Sequence, residues 1–160
     1  MLEIKRLFVA NSSYKAINRL LPHLSLTAPP ITLEELHQGL RQSNFYLFVA
    51  EDDTKGHDEN LVGMALIYFI WRPEGWTGSI HCVVVDEEYR GQHIGQILIE
   101  KLIQTAKEFA QTIQKKFKVY LTSRPSRVVA NSMYQKLGFR LVAKADDEWG
   151  TNLYKIVIMP

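Results

Sequence analysis

The chain has 160 residues, 46% of them apolar and 22% charged, the balance of an ordinary globular domain with enough mass for its own core. A formal charge of +2 with no dense Lys/Arg block argues against a nucleic-acid partner, and Lys115, Lys116 and Lys118 read as a solvated helix end. Cys82 is the single cysteine, so an internal disulfide and Cys-x-x-Cys metal sites are excluded, a reducing compartment is implied, and no metal is expected.

The longest apolar run, Leu61 to Trp71, falls short of the ~20 residues a membrane helix needs and reads as a buried strand. Leu7 to Ala10 lacks the apolar length of a signal peptide. A cytoplasmic protein with no membrane partner is expected, with residues 1–160 forming one domain.

In chain order, Leu2 to Val9 alternates as a first strand. Asn11, Ser12 and Ser13 offer N-caps for a helix carrying Ala16, Ile17, Leu20 and Leu21, which Pro22 should break. Thr32 opens a second helix with a capping box to Glu35 and an apolar side of Leu33, Leu36 and Leu40. Phe45–Glu51 and Leu61–Trp71 form a hairpin across a polar turn, and Arg72 to Gly75 turns the chain into a strand from Thr77 to Asp86. A long helix then runs from Ile94 to about Ile113 with a stripe of Ile94, Ile97, Leu98, Leu102, Ala106 and Phe109. Phe117–Thr122 is a strand. Ser126 can cap a helix that Gly138 ends, and Phe139–Ala143 and Asn152–Met159 complete the chain as strands. The order β-α-α-β-β-β-α-β-α-β-β predicts an α/β (α+β) fold with a mixed, mostly antiparallel sheet flanked by helices.

Arg90-Gly91-Gln92-His93-Ile94-Gly95 joins a Val-rich strand to the long helix. Such a turn aims several amides at one point, where the helix dipole adds positive charge, so it suits a phosphate. The Gly-x-Gly-x-x-Gly dinucleotide spacing is absent, and Gly95 is followed by Gln96 rather than the Lys-Ser/Thr of a P-loop. Alone, the turn is equally compatible with glycines kept only for tightness.

Farther on lies Ala130-Asn-Ser-Met-Tyr134-Gln-Lys-Leu-Gly138-Phe139. The first stretch resembles the acyl-CoA signature Gln/Arg-x-x-Gly-x-Gly/Ala of the GNAT superfamily of N-acetyltransferases, and the second resembles that superfamily's Ala-x-x-x-Tyr-x-x-x-Gly-Phe. The element order is also that family's. The resemblance spans nearly the whole chain and departs at His93, where the family has Gly, and at Arg127, where it often has a pantetheine-binding Asn.

The resemblance implies acetyl-CoA as co-substrate, held by Arg90, Gly91, Gln92, His93, Ile94, Gly95 and Gln96, by unpaired backbone groups of Val83 and Val85 on a splayed strand pair, and by Asn131 in place of the missing Asn. The Val83 amide would face the oxyanion. Tyr134 would protonate the departing thiolate, a core tyrosine being the bland alternative. Strand alternation puts His81, Val83 and Val85 on one face, opposite Cys82 and Val84, and His81 stands where relatives carry a Glu base or amine anchor. Its imidazole suits a base near neutral pH, or simply a satisfied histidine. Cys82 reads as an inert thiol.

Trp71 and Trp76 read as hairpin-packing aromatics rather than pocket walls, and Asn152 and Tyr154 open a strand near acceptor loops. The implied reaction is acetyl transfer in a ternary complex to a primary amine on a small molecule, peptide or protein. A catalytically silent acyl-CoA-binding module and a different acyl-CoA donor are the alternatives. The acceptor and the oligomeric state are open, a homodimer being one assembly the sequence allows.

Overall fold

The computed structural model describes residues 1–11, 13–146, 148 and 150–160. The elements are β1 (Leu2–Arg6), α1 (Ser13–Leu24), α2 (Leu33–Leu40), β2 (Phe45–Asp52), β3 (Leu61–Arg72), β4 (Gly75–Val85), a 3-10 turn (Glu87–Tyr89), α3 (Ile94–Ile113), β5 (Phe117–Ser123), α4 (Val128–Lys136), β6 (Arg140–Ala143) and β7 (Asn152–Ile158). The strands are ordered β1-β2-β3-β4-β5-β7-β6. β4 and β5 run parallel, whereas β1–β2, β2–β3, β5–β7 and β6–β7 pair antiparallel, which is the expected mixed sheet.

The chain forms two compact units, one of Met1–Tyr68 with Cys82–Leu102, the other of Phe69–His81 with Ile103–Pro160. In the first unit, α1 and α2 lay Ala16, Ile17, Leu20 and Leu36 against Leu47, Val49, Leu61, Met64 and Val84. Burying a side chain of this size contributes roughly 1.5–3 kcal/mol, so this cluster is what holds short helices to the sheet. The second unit is centred on aromatic rings: Phe69 stacks on Phe109 at 4.2 Å, and Phe117 meets Phe69 edge-on at 5.4 Å. Trp76 also packs edge-on against Phe109 of α3 at 4.9 Å, against a helix rather than across the hairpin as expected, while Trp71 is exposed.

The capping box at Thr32 forms as expected, with Glu35 N–H donating to Thr32 Oγ1 and Thr32 N–H to the Glu35 carboxylate. Of the three caps expected for α1, Asn11 accepts from the amide of Ser13, and Ser12 lies outside the described residues. Pro22 does not break α1, which continues to Leu24. Placed in the last turn, the proline forfeits only the bond its missing N–H would make, and Ser25 N–H closes the end on the Leu21 carbonyl. Ser126 does not cap α4: Arg127 N–H closes a turn on the Arg124 carbonyl, which makes Arg127 the entry residue, without a side-chain cap. On α3 the buried face is Ile94, Leu98, Ile99, Leu102 and Ala106, and Ile97 is instead partly exposed. The true helical angle carries the face toward Ile99, one step off the expected stripe.

Candidate active site

In the first unit, β4 ends at Val85 and the chain crosses the 3-10 turn to Arg90, Gly91, Gln92 and His93 before α3 begins at Ile94. Gly91 has φ +81° and His93 φ +61°, so two left-handed residues fold the connection back on itself. The His93 value explains why this position favours glycine. Histidine tolerates the left-handed region better than bulky residues do, and its side chain is exposed. His93 carbonyl accepts from Ile97 N–H and so starts the helical ladder. The amides of the first helical turn, Ile94, Gly95 and Gln96, have no helical carbonyl a turn earlier to bond, as at any helix N-terminus.

Gly95 differs from Gly91. A methyl group built on Gly95 would meet only Val85 Cγ2, at an ordinary 3.7 Å, and its φ is not left-handed. Neither backbone conformation nor packing within the chain requires glycine there.

The segment entering the turn is tied down. Asp86 is buried, donates its N–H to the Val62 carbonyl, accepts Glu88 N–H at 3.1 Å and accepts Arg19 at 2.6 Å. Tyr89 OH donates to Asp52 at 2.5 Å, which helps hold that carboxyl down to about 2. Arg90 Nε donates to the Val85 carbonyl at 3.2 Å. The expectation of unpaired groups at Val85 therefore fails for its carbonyl, because the turn folds the Arg90 side chain back onto the strand end. Cys82 has φ +55°, outside the extended region. Alternation alone therefore does not relate His81 to Val83, although Cys82 and Val84 do share the apolar cluster. Burial raises the Cys82 pKa, keeping it a thiol.

In the second unit, the β4–β5 ladder covers only Thr77–Ser79 against Lys118–Tyr120. Both strands run on, β4 to Val85 and β5 to Ser123. His81 sits just beyond that ladder, at the surface with its ring partly covered; this burial lowers its pKa, and one ring nitrogen shares a 2.8 Å hydrogen bond with Ser79 Oγ. Tyr134 is 1% exposed, and burial, partly offset by the charge of Arg127, raises its phenol above the ordinary value. Its ring meets Phe139 at 6.1 Å and Tyr154 at 5.9 Å. The side-chain Oδ1 of Asn152 accepts from Ala145 N–H.

Gly138, at φ +100°, ends α4 as expected. Its N–H bonds the Gln135 carbonyl and Phe139 N–H bonds the Tyr134 carbonyl, a Schellman cap with the Tyr134–Phe139 ring contact as its apolar clasp. Asn131, one turn before Tyr134 on the same helix face, donates through Nδ2 to the Arg124 carbonyl, and its buried Oδ1 has no partner. Ser123, which sequence reasoning passed over, has an equally orphaned Oγ. The signal was there in alternation: Phe117, Val119, Leu121 and Ser123 form the buried face of β5, and the last is polar. Among the described residues there is no His/Cys/Asp/Glu cluster able to hold a metal, and no helix is long and apolar enough to cross a membrane.

A mixed sheet flanked by helices in this order is the fold of solved acetyltransferases. The chain belongs to the acetyltransferase (GNAT) family, whose model matches residues 13–139. It is 32% identical over 94 residues to NAA20 of Arabidopsis thaliana, the catalytic subunit of the N-terminal acetyltransferase B complex, covering 59% of this chain and 49% of that protein. The chain spans about half the length of this curated relative. An acetyltransferase structure from Trypanosoma brucei is 28% identical over 88% of this chain and 93% of its own, with a TM-score of 0.67. NAA60 of Arabidopsis thaliana, solved with acetyl-CoA, shares the fold at 17% identity and a TM-score of 0.70, over 98% and 97% of the two chains.

Proposed function

We propose that this protein, with residues 1–160 acting as one domain in the cytoplasm, transfers an acetyl group from acetyl-CoA directly to a primary amine in a ternary complex. The observation that carries this reading is the turn into α3, where Gly91 and His93 are left-handed and exposed and the amides of Ile94, Gly95 and Gln96 open the helix without intrahelical partners. The amides of residues 91–96 bind the diphosphate of the donor, favoured by the helix dipole. The orphaned Oδ1 of Asn131 accepts an amide N–H of the pantetheine arm, which relieves a buried acceptor that would otherwise cost ~1–3 kcal/mol.

In the reaction, the amine lone pair attacks the thioester carbonyl carbon and the C–S bond breaks with its electrons going to sulfur. Tyr134 gives the thiolate a proton, and the amine's proton passes to His81, directly or through a water. A phenol with a raised pKa stays protonated at neutral pH, and a thiolate formed away from water is basic enough to take that proton. A histidine with a lowered pKa is neutral at pH 7 and so free to accept one.

The acceptor best supported is the N-terminal amine of a peptide or protein, since the curated relative is a catalytic subunit of an N-terminal acetyltransferase complex. The test is CoA release from acetyl-CoA across peptides with free N-termini, polyamines, amino acids and aminoglycosides. Peptides should turn over fastest; a preference for a small amine replaces the acceptor assignment. Calorimetry detecting no affinity of the folded protein for CoA or acetyl-CoA overturns the function itself.

A further inference from the structure

We infer that Arg19 and Asp86 are positioning residues for donor binding: their ion pair fastens the entrance of the glycine turn so that its amides are already aimed before acetyl-CoA arrives. This rests on the reading that the turn holds the donor's diphosphate. Arg19 lies on α1, far from the turn in sequence, yet its guanidinium joins three points of the first unit. Nη1 donates to Asp86 Oδ2 at 2.6 Å, and Nη2 donates to the Leu61 and Glu59 carbonyls at 2.8 and 3.1 Å. Asp86 turns this anchor into backbone geometry. Its other oxygen holds Glu88 N–H and its own N–H holds Val62, so the residue leaving β4 is fixed from both sides. Tyr89, one residue short of Arg90, is fixed in turn on Asp52.

The anchored entrance leads into a stretch with little support of its own. Gly91, Gln92 and His93 are exposed, two of them in left-handed conformations, and a methyl group on Gly91 would touch nothing. A turn with so few contacts takes its order from its ends. Restraint at the entrance removes conformational freedom that donor binding would otherwise have to remove, and preorganisation of this kind appears as affinity. A planar guanidinium bridging a carboxylate and two carbonyls is not reproduced by an ammonium group.

The experiment measures CoA affinity by calorimetry and steady-state kinetics on the wild type, Arg19→Met, Arg19→Lys, Asp86→Asn and the double variant. Lys15→Met, which removes an exposed pair between α1 and Asp58, is the control. Arg19→Met and Asp86→Asn are expected to weaken CoA binding and raise the acetyl-CoA KM about tenfold. The double variant should lose no more than either single one, Arg19→Lys should fall between, and kcat at saturating donor should change less than about twofold. Amide exchange at residues 91–96 of the free protein should accelerate in the weakened variants while exchange in β2 does not. If the wild type binds CoA and the folded variants bind it equally well, the inference is overturned although the function stands. If Arg19→Met fails to fold, Arg19→Lys decides alone, by whether its KM rises without a matching loss in kcat. A wild type that does not bind CoA removes the functional reading itself.

Discussion

The glycine turn before α3 and the end of α4 are both family motifs, but they are held in opposite ways. The turn is exposed, carries two left-handed residues, and leaves the first amides of α3 without intrahelical partners. The end of α4 is closed: Gly138 and Phe139 spend their N–H groups on α4 carbonyls, and Tyr134 is packed between Phe139 and Tyr154. The Tyr-x-x-x-Gly-Phe pattern therefore has a folding explanation of its own, as a Schellman cap with its apolar clasp, whereas Gly95 has none inside the chain. A motif with spare hydrogen-bonding capacity is the one whose ligand binding can be tested apart from its folding. One that satisfies itself must have its chemistry tested separately from its stability.

Tyr134→Phe makes that separation most sharply. It keeps the ring, the cap and the packing and removes only the hydroxyl, so kcat should fall tenfold or more, roughly 10- to 1,000-fold, while CoA affinity and the melting temperature hold. Unchanged turnover would reduce the tyrosine to its role in the cap. Gly95→Ala tests the opposite side. The folded protein should be as stable or slightly more so, because alanine is the better helix former, yet CoA should bind about tenfold more weakly. Loss of stability with affinity intact would return Gly95 to a structural role.

Gly138→Ala should do the reverse, costing ~1–2 kcal/mol by denaturation, since φ +100° is strained for any residue with a side chain. A neutral result would mean that the cap can be remade without the left-handed residue. The smallest effect concerns His81. Its lowered pKa places the acid limb of kcat/KM below the usual histidine value of ~6.5, so activity persists as pH falls to that value and is lost on further protonation of the ring. A profile flat through that range, with His81→Ala active, would move proton removal to water.

Much of the architecture was legible in the residues alone. Thr32 with Glu35, Gly138 after α4, and Gly91 before α3 act within one helical turn of themselves, so short-range chemistry determined those caps and the element order with them. The candidate cofactor and acid positions came instead from the resemblance of Arg90–Gly95 and Ala130–Phe139 to the GNAT motifs, since the turn alone was equally compatible with a structural role. Tertiary structure alone decided that β4 leaves the extended region at Cys82 and that Arg19 meets Asp86. Each of those outcomes depends on surfaces brought together from distant parts of the chain. Neither periodicity nor propensity carries information about which buried carboxylate a helix arginine will find.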